Sequence, residues 1–178
     1  MPPEFSRPLA VERIAATGTE LTIEANADER AALAQRFDIP AIHALTARFL
    51  ATPWRRGGVQ VRGEIAAEVE QVSVVSLEPF TSAVGEPVVR YYQAQTAPGH
   101  NPEVLSLESL DDEEPEVIAG GSIDLGEIAA ESLALALDPY PRMPGEEFGE
   151  VFQDDSAQAA EDQGKESPFA VLSRLKKQ

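Results

Sequence analysis

Serine and carboxylate pairs are the residues of this 178-residue chain whose spacing could support catalysis. Ser73 and Ser76 form a close hydroxyl pair, yet neither has a base evident in the sequence, and the Gly-x-Ser-x-Gly elbow of a catalytic serine is missing. Glu127 and Glu131 stand one helical turn apart, where paired carboxylates could exchange protons, but on the face away from the leucines simple solvation is the expectation. We therefore predict that the protein is not an enzyme.

Metal and nucleotide sites need residue types that the sequence lacks. It contains no cysteine, and its two histidines, His43 and His100, are too few for a protein-built zinc or iron site. His43 falls on a predicted strand, where we expect it to be packed. The turn Arg56-Gly57-Gly58-Val59 lacks the Lys-Ser/Thr pair and the following helix of a phosphate-binding loop. We predict no metal and no cofactor.

A group of cations with one aromatic residue is the clearest candidate for binding. The RNA-binding candidates are Arg48, Trp54, Arg55, Arg56 and Arg62. All five lie on or beside a predicted hairpin, where arginines could hold phosphates and the indole could stack on a base. A solvated hairpin tip is the simpler interpretation, and the net charge of −17 repels a phosphate backbone. For RNA to bind, the attraction of the local arginine patch must therefore exceed the repulsion from the net negative charge of the chain.

The acidic residues are concentrated downstream and suggest the opposite kind of partner. Residues 1–62 hold eight arginines against seven acids, whereas residues 101–178 hold five basic side chains against nineteen acidic ones. The protein-partner candidates are Asp111, Asp112, Glu113, Glu114 and Glu116. A like-charge block of this kind cannot be buried and could attract a basic protein. A segment that only aids solubility is the simpler alternative.

The sequence lacks a membrane-spanning segment and a secretory signal, and both observations bear on where the protein is located. No apolar run approaches the ~18 residues of a membrane span. The residues from Met1 to Arg7 lack the basic region, apolar core and small-residue cleavage site of a secretory signal. We expect a soluble, cytoplasmic protein with no membrane partner, and no pattern indicates an oligomeric state.

The stretch from Gly58 to Phe80 is the longest with strand chemistry, and the candidate residues are positioned around it. In its first part the odd positions are apolar and the even positions polar, the period of a strand with one buried face. The alternation of apolar and polar positions changes phase after Gln71. One straight strand from Gly58 to Phe80 would also be longer than the diameter of a small domain. We therefore expect a bulge or bend near Gly63 or at Gln71–Val72.

Shorter patterns predict the remaining elements. Strands are expected within Phe5–Ile14, over Glu20–Glu24, over Ala41–Trp54, and over Val88–Tyr92 after a turn at Gly85-Glu86-Pro87, with a short pairing around Val104-Leu105 or Val117-Ile118. Asn26 and Glu29 form a capping-box pattern before a helix over Ala27–Phe37. Asp124 can cap a second helix that ends before Pro139.

These patterns together predict an α+β fold. Its core would be a bent antiparallel sheet, which could close partly into a barrel, packed by the two helices. Residues 1–145 would form this domain, with an acidic mobile connection at about 96–121. Residues 146–166 would be an acidic linker, and residues 167–178 a short C-terminal helix that docks through its apolar side chains.

Three stretches of the sequence carry a family resemblance. They are the long strand closing in Leu77-Glu78-Pro79-Phe80, the run from Asp124-Leu125 through Glu131 to Pro139-Tyr140-Pro141, and the terminal Ser167-Pro168-Phe169-Ala170-Val171-Leu172. In this order and spacing they resemble the YceD-like family, the large ribosomal RNA subunit accumulation proteins, across nearly the whole chain. We expect these family-motif residues to be structural.

The resemblance implies a bacterial, non-enzymatic ribosome biogenesis factor that supports accumulation or maturation of the large-subunit ribosomal RNA. Its partner would be that RNA or a basic large-subunit ribosomal protein, for which an acidic binding module could act as a chaperone. An RNA-processing hydrolase is the remaining alternative. Many family members carry Cys-x-x-Cys where this chain has Ser73-Val74-Val75-Ser76. Because hydroxyls cannot replace thiolates as soft-metal ligands, no zinc or redox role carries over.

Overall fold

Seven strands and two helices make up the described part of the chain, which is residues 3–55, 57–94, 115–118 and 120–146 of the computed structural model. In chain order they are β1 (Pro8–Ala10), β2 (Thr19–Glu24), α1 (Ala27–Phe37), β3 (Ala41–Trp54), β4 (Gly58–Val72), β5 (Pro79–Ala94), β6 (Glu116–Ile118), β7 (Ser122–Asp124) and α2 (Leu125–Ala136), with a 3₁₀ turn at Val11–Arg13. One compact unit covers Met1–Pro144, and of the second unit, Gly145–Gln178, only the first two residues are described.

The strands form one large sheet and one small one. The large sheet has the order β2-β3-β4-β5-β6 and is antiparallel except for the parallel pair β5 and β6, while β1 and β7 form a separate antiparallel pair. Helix α1 packs against β3, and α2 packs against β4 and β5. The predicted α+β class is confirmed. The sheet is open, so the partial barrel is not formed.

The stretch Gly58–Phe80 is two strands joined by a turn, and the prediction of one bent strand was wrong. β4 ends at Val72, residues 73–78 form the turn, and β5 begins at Pro79. The phase break after Gln71 therefore marks the end of a strand. The irregularity in the β3–β4 pairing lies instead in β3, between Ile42 and Ala44.

β4 passes through Gly63 without losing its pairing, but it comes very close to β3 there. A Cβ atom at Gly63 would lie 1.9 Å from the carbonyl oxygen of Arg48 and 2.8 Å from Cδ1 of Phe49. Only a residue without a side chain fits this approach. The bulge or bend expected near Gly63 is therefore absent, because the pairing of β4 with both β3 and β5 is regular through Gly63, and the close approach of β3 is what requires a glycine there.

The predicted turn at Gly85-Glu86-Pro87 does not exist. β5 continues through these residues, and its register with β4 is unbroken from Pro79 to Tyr92. β6 pairs only with Tyr92–Ala94, so at Pro87 the only described neighbour of β5 is β4. Proline is tolerated where one side of a strand needs no backbone donor. The turn-like composition of this segment is therefore typical of an edge strand.

The shorter elements agree with the sequence patterns in part. The predicted strand within Phe5–Ile14 shrinks to the three residues of β1, because the chain turns into a 3₁₀ conformation at Val11. β2 and β3 match their predicted ranges closely. The pairing at Val117-Ile118 is confirmed as β6, whereas Val104-Leu105 lies outside the described residues.

Both helices begin at the predicted caps. Asn26 Oδ1 accepts a hydrogen bond from Glu29 N at 3.0 Å, and Glu29 Oε2 accepts one from Asn26 N at 2.8 Å, which completes the capping box of α1. Asp124 Oδ1 accepts from Gly126 N at 2.9 Å at the start of α2. Among the described residues, no helix is long and apolar enough to cross a membrane.

The core lies between one face of the large sheet and the two helices. Its fully buried members include Leu33 of α1, Leu45 of β3, Ile65 and Val69 of β4, and Leu133 of α2. The three strand residues among them, Leu45, Ile65 and Val69, fall on the alternating positions that the strand periodicity assigned to the buried face. The core therefore leaves the other face of the long strands open to solvent.

Candidate nucleic-acid interface

The outer face of the large sheet is the side opposite the core, and it carries most of the predicted RNA-binding residues. It consists of Glu20 and Thr22 of β2, Arg48, Leu50, Thr52 and Trp54 of β3, Gln60, Arg62 and Glu64 of β4, and Pro87, Val89 and Tyr91 of β5. Successive side chains of a strand point to opposite sides, so pairing across the strands sorts these residues into rows. The rows determine which side chains can act together.

A trough crosses the outer face where β4 contains Gly63. Two neighbouring rows line it, Glu20-Leu50-Arg62-Val89 and Thr22-Arg48-Glu64-Pro87, and core-row residues such as Phe49 and Gly63 lie between them. The trough encloses about 550 Å³. It therefore combines an apolar strip, two cations and two carboxylates in one open depression.

Arg48 and Arg62 are the cations of the trough. They are diagonal neighbours on adjacent strands, a placement that separates two residues by about 7 Å. Both are exposed, and neither makes a side-chain hydrogen bond or an ion pair with another described residue. Glu64 stands opposite Arg48 in the register without forming an ion pair. Two guanidinium groups are thus available to one anionic ligand.

An aromatic wedge, formed by Trp54 and Tyr91, lies further along the same face. The two ring centroids are 4.8 Å apart and the ring planes are inclined by 45°. Gln60 Nε2 donates a hydrogen bond to the Tyr91 hydroxyl at 3.1 Å, and the guanidinium carbon of Arg55 lies 4.3 Å from the Trp54 ring centroid. These contacts orient the wedge and keep it beside the cationic trough.

Gly58 allows the indole of Trp54 to lie close to β4. A Cβ atom at Gly58 would be 2.7 Å from the Trp54 carbonyl oxygen and 3.1 Å from Cε3 of the indole. The hairpin turn reaches this geometry through Arg55 and Gly57, both of which have positive φ. The turn residues therefore set the position of the wedge as well as reversing the chain.

The structure brings four of the five RNA-binding candidates to one side of the sheet. Arg48 and Arg62 lie in the trough, Trp54 forms the wedge, and Arg55 contacts its ring. Arg56 lies outside the described residues. Tyr91, Leu50 and Val89 were not identifiable as site residues from the sequence, because their meeting depends on the pairing of three strands, which alternation alone does not give.

The Ser73-Val74-Val75-Ser76 segment forms the turn between β4 and β5. Ser73 is fully buried, and its Oγ accepts hydrogen bonds from Val75 N at 3.1 Å and Ser76 N at 3.3 Å. Val74 N donates to the carbonyl oxygen of Pro141 at 2.9 Å, which joins two of the three stretches that carried the family resemblance. These contacts are those of a structural turn.

The other described family-motif residues lie in turns, at a helix cap, in the core or, for Glu131, on the exposed side of α2. Leu77 has a φ of 61° in the β4–β5 turn, and Glu78 is exposed there before Pro79 opens β5. Asp124 caps α2, and Leu125 is buried at its first position. Glu131 and Pro139 are exposed, while Pro168, Phe169 and Leu172 lie outside the described residues.

Two side chains behave differently from the expectation. Glu127 is not merely solvated, because its Oε1 lies 2.9 Å from Nη2 of Arg36, which also contacts Glu4 at 3.1 Å and so links α1 to α2. His43 is exposed rather than packed, since the irregularity in β3 turns it outward, and its Nε2 lies 3.2 Å from Glu70. Glu131 is exposed, as predicted.

The acidic protein-partner candidates, and the residue types that could bind a metal ion, are described only in part. Glu116 is exposed on β6, whereas Asp111, Asp112, Glu113 and Glu114 lie outside the described residues. Within the ranges that are described, no three His, Asp or Glu side chains are grouped so that they could hold a metal ion. The predicted acidic linker at 146–166 and the helix at 167–178 also lie outside these ranges, apart from Glu146.

The geometry defines an α+β protein whose open sheet presents two exposed arginines, Arg48 and Arg62, beside an aromatic pair, a combination typical of nucleic-acid-binding surfaces. Residues 61–176 match the family model described as large ribosomal RNA subunit accumulation protein YceD. The match spans more than half of the chain, so the chain belongs to this family, as the resemblance predicted. The family description links it to accumulation of the large-subunit ribosomal RNA.

The matched region does not include the whole outer face. It begins at Val61, so Arg62 and β5 lie within it, while Arg48, Trp54 and Arg55 lie before it. No curated protein and no solved structure matches the chain.

Proposed function

We propose that this protein supports the accumulation of large-subunit ribosomal RNA by binding RNA through the outer face, without catalysing a reaction. The observation that carries the proposal is a pair of exposed arginines, Arg48 and Arg62, which lie in one trough beside the aromatic wedge and form no ion pair with another described residue. Guanidinium groups bind phosphates in a forked geometry, and an unpaired arginine gives up no existing contact to do so.

The net negative charge of the chain opposes RNA binding at long range. It has little effect once the RNA is in contact with the trough. The net charge of −17 repels RNA, but exposed charges farther apart than about 8 Å are largely screened at physiological salt. At contact distance RNA meets Arg48 and Arg62, although Glu20 and Glu64 lie at the same trough. We expect binding of moderate affinity and slow association.

Depletion of the protein from its native cells tests the biological part of the proposal. The expected result is a lower level of large-subunit ribosomal RNA and fewer mature large subunits in sedimentation profiles. The wild-type chain and Arg13→Gln, which removes an exposed arginine away from the large sheet, should restore both. The double variant Arg48→Gln/Arg62→Gln should restore neither the RNA level nor the number of mature large subunits. Normal RNA levels and normal particles after depletion would contradict the proposed role.

The competing mode is an acidic escort for a basic ribosomal protein. Affinity purification of the tagged chain from cells separates the two modes. RNA binding predicts that bound ribosomal RNA is lost in Arg48→Gln/Arg62→Gln and retained when Asp111, Asp112, Glu113 and Glu114 are changed to their amides. The reverse result, with a basic protein lost from the amide variant, would support the escort.

The hydrolase alternative is tested with the purified chain. Incubation with precursor RNA should leave the RNA intact, because the buried Ser73 Oγ accepts two backbone hydrogen bonds in a turn and no three described His, Asp or Glu side chains are grouped to hold a metal ion. Cleavage that disappears on one carboxylate substitution would establish an enzyme instead.

A further inference from the structure

We infer that the outer face binds single-stranded RNA, with one unpaired nucleotide in the trough and a neighbouring base stacked on the aromatic wedge. This inference rests on the proposed function and specifies the form of RNA that it requires. Its support comes from the chemistry of the trough, the placement of the wedge, and the distance between them.

The trough offers a matching group for each part of a nucleotide. Arg48 and Arg62 can both reach one phosphate, because diagonal neighbours lie about 7 Å apart and the two long side chains form no ion pair with another described residue. Leu50 and Val89 flank Arg62 in its row and provide an apolar surface for the flat side of a base or a ribose. The trough thus offers cations for the phosphate of a nucleotide and an apolar surface for its base or ribose.

Carboxylates in the trough can accept hydrogen bonds from a base. Glu64 follows Arg62 on the outer face of β4, and Glu20 ends the row on β2. Carboxylate oxygens pair with exocyclic amino groups such as that of cytosine. In an RNA duplex one hydrogen of this amino group is used in the base pair and the other faces a deep, narrow major groove that side chains cannot read, so Glu64 and Glu20 favour a base that is free of a partner.

The wedge lies within reach of the next nucleotides. Tyr91 is two residues beyond Val89 on β5, which places it about 7 Å further along the sheet at ~3.3 Å per residue. Trp54 lies beyond Tyr91, and the planar guanidinium of Arg55 extends the surface. Bases stack on aromatic rings and on arginine planes only when they are splayed out of a helix.

The single tryptophan of the chain gives a direct measurement, because Trp54 is the only residue of its type. Titration of the full-length protein with a short mixed-sequence oligoribonucleotide should quench Trp54 fluorescence, since a base stacks against the indole. The same sequence closed into a duplex should bind at least about 10-fold more weakly, in line with the loss of one stacked base, and should leave the emission unchanged.

Variants then separate stacking from phosphate contact. Trp54→Ala should weaken single-strand binding about 10-fold, whereas Trp54→Tyr should retain most of the affinity because a ring remains. Tyr140→Ala, which removes an exposed ring that does not belong to the outer face, is the matched control and should change nothing. Arg62→Gln should weaken binding and reduce the slope of log affinity against log salt by about 0.7, the value for one phosphate of a single strand.

The possible outcomes distinguish this inference from the proposed function. Equal binding of duplex and single strand, weakened by Arg62→Gln but not by Trp54→Ala, would overturn the single-strand inference and leave RNA binding by the outer face intact. No binding of either RNA would overturn both. Thermal unfolding of each variant at the wild-type temperature ensures that a loss of binding reflects the outer face.

Discussion

Asp124 shows how one residue at a helix cap can hold separate parts of a chain together. Its carboxylate accepts hydrogen bonds from Gly126 N at 2.9 Å within α2 and from Arg7 N at 2.7 Å in the N-terminal segment. The Ser6 hydroxyl also donates to it. The cap itself was readable from the sequence, because capping is local. The contacts to Ser6 and Arg7 were not, because they join residues far apart in the chain.

Asp124→Ala should lower the free energy of unfolding by about 2 kcal/mol, the upper part of the range for a lost N-cap, because the amides of Arg7 and Gly126 lose their acceptor together. Urea denaturation measures the change. Asp124→Asn should cost less, since an amide oxygen can still cap the helix. Equal stability of the alanine variant would mean that the cap and the N-terminal contacts contribute nothing.

Glu29 couples stability to acidity through Arg7. The two guanidinium nitrogens lie 2.7 and 2.9 Å from its carboxylate oxygens, and this bonding holds the pKa of Glu29 below its ordinary value of 4.5. A lowered pKa in the folded state stabilises the protein above the unfolded pKa, and the contribution is lost as pH falls through the folded pKa.

Glu29→Gln should therefore be less stable than the wild type near neutral pH, and the two should converge in acid. The decline belongs to the range below about 4.5, where the unfolded chain takes up a proton that the folded chain does not. Unfolding free energies across this range provide the test. A constant difference at every pH would show that the Arg7 contact does not depend on the charge of Glu29.

At the scale of elements, the sequence predicted the strands and helices that depend on alternation and local capping. It did not predict features that depend on which strands pair with each other. The bounds of β3 and α1 were correct because their periodicity and caps lie within the segment itself. The Gly85-Glu86-Pro87 segment was assigned to a turn, but pairing with β4 keeps it extended. The trough was likewise not predictable, because its rows require the register of four strands.

Gly63 and Gly85 form a matched pair for testing the strand contact. Gly63→Ala should destabilise the protein by more than about 2 kcal/mol, because the new methyl group would meet the Arg48 carbonyl oxygen at 1.9 Å and β3 would have to move away. Gly85→Ala should stay within about 0.5 kcal/mol, since its nearest neighbour is 3.9 Å away. Denaturant unfolding of both variants decides whether the approach at Gly63 is specific.

At the scale of the whole molecule, charge and surface chemistry point to different partners. The chain carries 31 acidic residues against 14 basic ones, yet the trough presents two exposed arginines, Arg48 and Arg62. Sequence composition gave the first fact, and only the folded sheet gives the second. Long-range repulsion affects mainly the rate of encounter with RNA, whereas contacts in the trough affect mainly the lifetime of the complex.

Changing Asp111, Asp112, Glu113 and Glu114 to their amides should therefore speed association with RNA and leave dissociation nearly unchanged. The reason is that removing four negative charges weakens the repulsion without altering the trough. Stopped-flow measurements at low and high salt provide the test, and high salt should abolish the difference. A change confined to the dissociation rate would indicate that these acids contact the bound RNA.

The proline in the edge strand has a consequence for how copies of the protein behave in concentrated solution. Among the described residues, β5 has no partner beyond β4 from Pro79 to Tyr91, so this part of its edge could pair with the same edge of another copy. Pro87 removes one backbone donor there and opposes polymerisation. Pro87→Thr should leave the folded chain stable but promote aggregation into β-rich fibres, seen as rising light scattering and thioflavin fluorescence, and a variant that stays monomeric would show that the edge is protected by other means.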